Sequence, residues 1–260
     1  MNYRVLLFLA ASALGLQYLA PVSISQTTPG ETVSKPAVMV ELFTSEGCSS
    51  CPPADALLAE LDRRKSFAGA PIVVLSEHVD YWDHEGWRDP FSSAQWTQRQ
   101  NGYGERFRLD SVYTPQMVVD GNQQVIGSNS TEVAHAIATA TQSGKIKIDI
   151  ANAGWSNNVA RADIAVADAS SVTAKGLELY AVLADDEDAS SVSAGENSGR
   201  KLTHVAVVRA MQKVAALHGP YAAPVRIDLP GNHPHGKMRL IVFAQKGQNG
   251  PIFGVAQTEV

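Results

Sequence analysis

Two cysteines three residues apart constrain this chain more than any other feature. They lie in the motif Cys48-Ser49-Ser50-Cys51 and are the only cysteines in the sequence. An apolar run at 38–43 precedes the motif and two prolines at 52–53 follow it, which is the pattern of a strand that turns straight into a helix. Unpaired N–H groups and the dipole at a helix N-terminus stabilise a thiolate. The motif therefore predicts redox chemistry.

The first 25 residues have the pattern of a secretory signal peptide. One basic residue, Arg4, precedes an apolar stretch at 5–19 that is too short and too weakly flanked for a spanning helix. Small residues at 23 and 25 place cleavage before Gln26, and a flexible leader follows at 26–36. We expect a periplasmic or secreted product with no stable membrane span, and an uncleaved membrane anchor is the alternative.

Export changes how the cysteine pair is interpreted. In an oxidising compartment the pair is a disulfide at rest, either as a structural bridge or as a working redox couple. A loop this short removes little entropy from the unfolded chain, so the spacing favours the redox couple. The net charge is −5, with 26 acidic and 21 basic residues and no basic cluster, which argues against a nucleic-acid partner. No cofactor is predicted.

The 260-residue chain is long enough for two domains. Residues 37–143 follow the order strand, helix, strand, helix, hairpin, helix, which predicts an α/β domain. The helices are predicted at 52–64, 92–107 and 131–142. Residues 145–260 carry short alternating runs separated by turn residues and predict an all-β sandwich-like domain. Its strands are predicted at 145–150, 159–167, 177–183, 202–208, 225–229 and 238–243.

The order of elements in the first half resembles the thioredoxin fold, with Cys-x-x-Cys at the first strand-to-helix turn and Thr-Pro before the third strand. A closer resemblance is to a family of exported bacterial proteins catalogued as domain of unknown function 1223. It is carried by VELFTSEGCSSCPPAD at 40–55, HVDYWD at 78–83 and VYTPQ at 112–116. The resemblance implies a thioredoxin-like α/β domain and export, but it implies no particular reaction.

We predict different roles for the two cysteines. Cys48 comes first in the motif and is expected at the exposed end of the helix, where it would act as the nucleophile. Cys51 lies one turn further in and would be the resolving thiol that attacks a mixed disulfide. The natural substrates would then be the thiols or disulfides of proteins or peptides.

Thr114 and Pro115 form the second part of the predicted site. In thioredoxin-like proteins a cis proline faces the disulfide, and the residue before it pairs with the substrate backbone. The resemblance therefore implies a cis Pro115 that shapes the site and a Thr114 that offers its N–H and C=O groups to substrate.

The segment after the second predicted strand supplies further candidates. His78 lies at the carboxyl end of that strand, the edge at which open α/β sheets bind ligands. A histidine there could stabilise a thiolate or move a proton, and the aromatic rings of Tyr81 and Trp82 could contact a bound peptide. An ordinary aromatic loop with a structural histidine is the alternative.

One position departs from the thioredoxin pattern. Thioredoxins carry a buried acid six residues before the first cysteine, and that position is Leu42 here, with Glu41 beside it. Since neighbours on a strand point to opposite faces, we expect Glu41 to point away from Cys51 unless a bulge shifts the register and lets Glu41 handle the proton. Proton handling would then fall to Glu46, Glu77 or His78.

Three classes of function remain open at this point. The first is an exported thiol-disulfide oxidoreductase. The second is a carrier of Cu(I) or Zn(II) that uses Cys48, Cys51 and His78 as ligands. The third is a binding protein that holds an inert disulfide.

Overall fold

The computed structural model describes residues 35–167, 176–229 and 236–260. The predicted signal peptide at 1–25 and all but the last two residues of the predicted leader at 26–36 lie outside the described residues. Within the three described ranges, no helix combines the length and apolar character that a membrane crossing requires.

The described residues form three helices and twelve strands. The helices are α1 Pro52–Arg64, α2 Ala94–Phe107 and α3 Ser130–Ala140. The strands are β1 Val38–Thr44, β2 Ser66–Phe67, β3 Ala70–His78, β4 Gln116–Val119, β5 Gln123–Ile126, β6 Ile148–Ser156, β7 Val159–Val166, β8 Leu177–Ser191, β9 Lys201–Leu217, β10 Tyr221–Asp228, β11 Met238–Lys246 and β12 Ile252–Glu259.

Nine of these strands form one mixed sheet, in the order β12-β11-β8-β9-β3-β1-β4-β5, with β2 paired to the side of β3. The pairs β1/β3 and β3/β9 are parallel, and β9 joins β3 at Ser76 and Val207. The remaining neighbours in this sheet are antiparallel. A second sheet contains three strands in the order β10-β7-β6.

The prediction of a thioredoxin-like α/β domain followed by a separate all-β domain is wrong. The described residues are 47% strand and 18% helix, and the large sheet runs across the predicted boundary. One apolar core contains Val40 and Val74 from the first half together with Tyr180, Val182 and Phe243 from the second. The pattern of alternation located the strands of the second half except β12, but it carries no information on which strand pairs with which.

Strand β8 shows why the halves share a core. Its side chains alternate between two apolar clusters, so both faces of this part of the sheet are buried. Tyr180, Val182 and Ala184 belong to the core shared with the helical half. Leu179, Ala181 and Leu183 belong to the core beneath the three-stranded sheet. A strand that is apolar on both faces needs a layer on each side, and the helices supply one of them.

The parallel pairing of β1 and β3 brings two loops to one edge of the sheet. The last residues of these strands, Thr44 and His78, are partners in the register. The cysteine turn that follows β1 and the aromatic loop that follows β3 therefore begin side by side, as expected for the carboxyl ends of parallel strands. The long β8–β9 hairpin reaches the same edge, because its turn at 192–200 contacts the cysteine turn.

Candidate functional site

The two cysteines form a disulfide at the N-terminus of α1, with their Cα atoms 5.4 Å apart. Cys51 is the N-cap residue, and prolines occupy the first two helical positions. Proline is favoured there because its missing N–H has no partner in the first turn and its φ suits a helix. The sequence-based prediction of a strand that turns directly into a helix at this motif is confirmed.

The expected exposure of Cys48 is wrong. Both cysteines are 0% exposed, although Ser49 and Ser50 between them are exposed. The cover over Cys48 comes from a part of the chain that the sequence analysis assigned to another domain.

That cover is the turn at 192–200 between β8 and β9. The side-chain amide of Asn197 donates hydrogen bonds to the carbonyl oxygens of Glu46, at 2.8 Å, and Cys48, at 2.9 Å. The backbone N–H of Ser49 donates to the carboxylate of Glu196 at 3.1 Å. The turn thus holds the cysteine loop through polar contacts.

Trp82 joins the cysteine turn to the Thr114-Pro115 segment. A Cβ on Gly47 would lie 2.9 Å from the Trp82 Cβ, so only glycine allows this approach. The Trp82 indole N–H donates to the Thr114 hydroxyl at 2.8 Å. The Thr114-Pro115 peptide bond is cis, as expected.

Pro115 lies beside the first turn of α1. A Cβ placed on Gly127 would be 3.1 Å from the Ala54 Cβ and 3.3 Å from the Pro115 Cβ. Tyr81 lies near the same segment, with its ring 6.4 Å from that of Trp82, and burial raises the pKa of its hydroxyl. The structure therefore brings the predicted residues Cys51, Trp82, Thr114 and Pro115 to one edge of the sheet.

Glu46 forms the centre of a buried polar cluster behind the cysteine turn. Its carboxylate is 0% exposed and accepts hydrogen bonds from the Ser190 hydroxyl and, at 2.9 Å, from the Trp87 indole N–H. The His204 Nε2 lies 3.2 Å from the same carboxylate. Burial alone would raise the pKa of Glu46, but the hydrogen bonds from His204, Ser190 and Trp87 bring it below the ordinary value.

His204 is held between two acids. Its Nε2 faces Glu46, and its Nδ1 lies 3.8 Å from the carboxylate of Asp55, which accepts a hydrogen bond from the Thr44 hydroxyl. Burial would lower the pKa of His204, but Asp55 and Glu46 together raise it to about 10. The raised pKa favours the cationic form of this buried imidazole at neutral pH.

We expect this charged imidazole to make stability depend on pH. His204 stabilises the folded state fully below the unfolded pKa of about 6.5, and this contribution is lost as pH rises towards the folded pKa of about 10. Between pH 7 and 9.5 the free energy of unfolding should fall by up to about 1.4 kcal/mol per pH unit more steeply in the native protein than in His204→Gln. Urea unfolding at a series of pH values measures the two slopes. His135→Gln, at an exposed position of α3, is the matched control, and equal slopes in the native protein and His204→Gln would contradict the assignment.

His78 lies in the same cluster but does not reach the surface. Its Nδ1 is 2.7 Å from the Asp89 carboxylate, and its ring packs edge-on against His204 with the centroids 4.6 Å apart. Asp89 also accepts the backbone N–H of Glu46 at 2.8 Å. Burial alone would raise the pKa of Asp89. The charge and hydrogen bond of His78, together with hydrogen bonds from backbone N–H groups, lower it. His78 therefore braces the cysteine turn through Asp89.

Glu41 lies on the other face of the sheet, as the alternation of β1 predicted. It accepts hydrogen bonds from Arg99 and Tyr103 of α2, both at 2.7 Å, whereas Leu42 packs in the core with Ala54 and Leu58 of α1. Arg99 is also 3.5 Å from Glu77. Of the residues predicted to handle protons, only Glu46 and His78 belong to the cluster behind the cysteine turn.

Several residues of this cluster and its cover were not predicted from the sequence, among them Asp55, Asp89, Asn197 and His204. Asp55 had a detectable signal, because it lies four residues after Cys51 and therefore on the same side of α1. The other three come from distant segments, and local spacing gives no sign that they meet.

The ligands predicted for a metal do not converge here. The sulfurs of Cys48 and Cys51 are bonded to each other, and the His78 ring is engaged by Asp89. In the part of the chain that the structure describes, no group of three or more His, Cys, Asp and Glu side chains is arranged to hold a metal ion.

The fold and the site define a mixed-sheet protein with a covered Cys-x-x-Cys disulfide at a helix N-terminus. A family model described as "Protein of unknown function (DUF1223)" matches residues 39–245, and the chain belongs to this family. The resemblance found in the sequence is thereby confirmed at the level of the family.

Two solved structures share the fold. A crystal structure of a protein from Agrobacterium tumefaciens has a TM-score of 0.61 and 24% identity, and the match covers 85% of this chain and 92% of the other. HBP35 of Porphyromonas gingivalis has a TM-score of 0.58 and 14% identity, over 86% of this chain and 75% of the other. At these identities the matches describe the fold alone. No curated protein matches the sequence.

Proposed function

We propose that this chain is an exported thiol-disulfide oxidoreductase that acts on protein or peptide thiols through the Cys48–Cys51 couple. The observation that carries the proposal is the position of the disulfide at the N-terminus of α1, beside the segment that contains the cis Thr114-Pro115 bond. A helix N-terminus stabilises the thiolate that forms when the disulfide opens. We extend the proposal to a relationship with the thioredoxin-like superfamily, because the same two elements flank the couple there.

In the reduced state the Cys48 thiolate attacks one sulfur of a substrate disulfide, and the other substrate sulfur leaves as a thiolate. The Cys51 thiolate then attacks the Cys48 sulfur of this mixed disulfide and releases the second substrate thiolate. The substrate gains two electrons and, once both thiolates are protonated, two protons. The protein loses the same two electrons and returns to the disulfide. The reverse sequence oxidises a dithiol.

The buried cluster supports the proposal because it places exchangeable protons near the couple. Glu46 precedes Cys48 by two residues, and His204 bridges Glu46 to Asp55 of α1. A cationic imidazole in this cluster favours negative charge on nearby groups, including a thiolate. The proposal gives this cluster the proton-handling role that Leu42 cannot provide and for which Glu41 is on the wrong face.

Trapping with Cys51→Ser tests the function. Without the resolving thiol, Cys48 should remain bonded to its substrate, and non-reducing electrophoresis of the exported fraction should show mixed disulfides that disappear on reduction. Exchange activity towards a disulfide-containing peptide should fall at least 100-fold.

The matched control is Cys48→Ser, which retains a thiol at position 51 but lacks the proposed nucleophile. It should form no mixed disulfide. Equal trapping by the two variants would contradict the assigned roles. No trapping by either variant, together with a native couple that does not exchange with the peptide, would show that the disulfide is structural.

A further inference from the structure

The cover over the disulfide is thin and polar. Residues 193, 195, 196 and 198–200 are exposed, whereas Asn197 is 1% exposed and points inward to the cysteine loop. The turn therefore lies against the cysteine loop through Asn197, while most of its other residues face solvent. A layer of this kind is held by a few hydrogen bonds, each of which water can replace when the layer lifts.

Asn197 holds this layer closed. Its amide nitrogen donates hydrogen bonds to the carbonyl oxygens of Glu46 and Cys48. Its carbonyl oxygen accepts a hydrogen bond from Arg200 at 2.9 Å. The bond from the Ser49 N–H to Glu196 adds a third contact to the cysteine loop. The hydrogen bonds that hold the turn to this loop therefore come from two adjacent residues.

Two glycines inside the turn adopt backbone conformations that other residues rarely adopt. Gly195 and Gly199 both have positive φ, +71° and +80°, and they flank Asn197. A Cβ on Gly195 would lie 3.2 Å from the Glu85 carbonyl oxygen and 3.2 Å from the Trp87 Cβ, so the turn also rests on the aromatic loop. The turn contacts both loops that form the edge of the site.

We propose that the 192–200 turn is a removable cap that regulates access to the Cys48–Cys51 couple, with Asn197 as its latch. The inference rests on the proposed function, because a couple that is fully covered cannot exchange with another polypeptide. Exchange requires a thiolate to approach a sulfur in line with the S–S bond, and Cys48 is 0% exposed in the closed form. When the cap opens, an incoming thiolate can reach the sulfur in this direction.

Opening also prepares a binding surface. When Asn197 withdraws, the carbonyl oxygens of Glu46 and Cys48 lose their donors and face the incoming molecule. An extended polypeptide has backbone N–H groups that can satisfy them. A polypeptide thiol thus replaces the hydrogen bonds that it breaks, whereas a small-molecule thiol does not. The cap therefore favours polypeptide substrates over small thiols.

The test is the rate at which the couple is reduced by dithiothreitol and reoxidised by oxidised glutathione, both measured on the folded full-length protein. Asn197→Ala removes two of the three hydrogen bonds from the turn to the cysteine loop and is expected to accelerate both reactions about tenfold. A change in the stability of the disulfide alone would accelerate one direction and slow the other. Acceleration in both directions identifies a cap.

Two further variants make the test decisive. Glu196→Ala removes the bond to Ser49 from an exposed position, so the variant should fold, and about a threefold acceleration in both directions is expected. Ser198→Ala is the matched control, because the Ser198 hydroxyl donates to the carbonyl oxygen of Ser193 within the turn. It should react at the native rate.

The outcomes separate this inference from the proposed function. Unchanged rates in Glu196→Ala and in a folded Asn197→Ala overturn the cap, whatever Cys51→Ser traps. Where Asn197→Ala does not fold, the rates measured in Glu196→Ala alone show whether the turn is a cap. Accelerated rates together with no trapped partner retain the cap and reject the oxidoreductase. Trapped partners with native rates in both cap variants retain the oxidoreductase and reject the cap.

Discussion

Replacing Phe243 by alanine is expected to lower the free energy of unfolding by about 3–5 kcal/mol and to leave a single unfolding transition. Phe243 is 0% exposed and stacks on Tyr180 with the ring centroids 5.2 Å apart. It belongs to the core that contains Val40 and Val74 of the first half of the chain. Because this core spans both halves, the cavity should destabilise them together. Denaturant unfolding followed by far-ultraviolet circular dichroism and by tryptophan fluorescence measures the effect.

The matched control is Phe253→Ala on β12. Phe253 is only partly buried and packs against the other core, so a smaller loss is expected. Tryptophan fluorescence reports on both cores, since Trp96 lies in the shared core and Trp155 packs against the core beneath the three-stranded sheet. Two separate transitions in Phe243→Ala, with only one of them shifted, would contradict a shared core.

Replacing Arg99 by methionine is expected to cost about 3–5 kcal/mol at pH 7. The guanidinium lies 2.5 Å from Glu41 and 3.5 Å from Glu77, and both carboxyl groups are 0% exposed. Burial, reinforced by the charge of Glu41, raises the pKa of Glu77 well above its ordinary value against the opposing charge of Arg99. Without this cation, Glu77 favours its neutral form still more strongly. The loss should therefore shrink as the pH is lowered from 7 to 5.

The double variant Glu41→Gln, Arg99→Met provides the control. Removing the partner charge together with the cation should recover a large part of the loss, since an unpaired buried charge causes most of it. Chemical unfolding of the native protein, both single variants and the double variant at pH 7 and pH 5 gives the coupling free energy between Glu41 and Arg99. Additive losses that do not change with pH would show that Arg99 stabilises the protein by packing alone.

Local sequence patterns predicted much of the first half of the chain. The helix expected at 52–64 matches α1, because the apolar stripe and the prolines at its start fix both its phase and its beginning. The face of Glu41 followed from the two-residue period of β1. The helix expected at 131–142 corresponds to α3, which begins one residue earlier at Ser130 and has Asn129 as its N-cap.

The arrangement of the second half could not be predicted in the same way. β8 and β9 have 15 and 17 residues, and they extend well beyond the short alternating runs that located them. Polar residues occupy the end of β8 that leads into the turn, so its periodicity is lost where the hairpin approaches the cysteines. The pairing of β9 with β3 rests on Ser76 and Val207, and no local pattern marks these residues. The position of His204 near the disulfide depends on that pairing.

The link between Asn197 and Cys48 spans 149 positions in the sequence. Contacts so far apart form late, because the intervening chain must be ordered first. In a chain that folds from its N-terminus, the two thiols stay open to oxidants until the hairpin arrives. The cysteines can therefore form their disulfide before the hairpin covers them. We expect this oxidation to precede completion of the sheet.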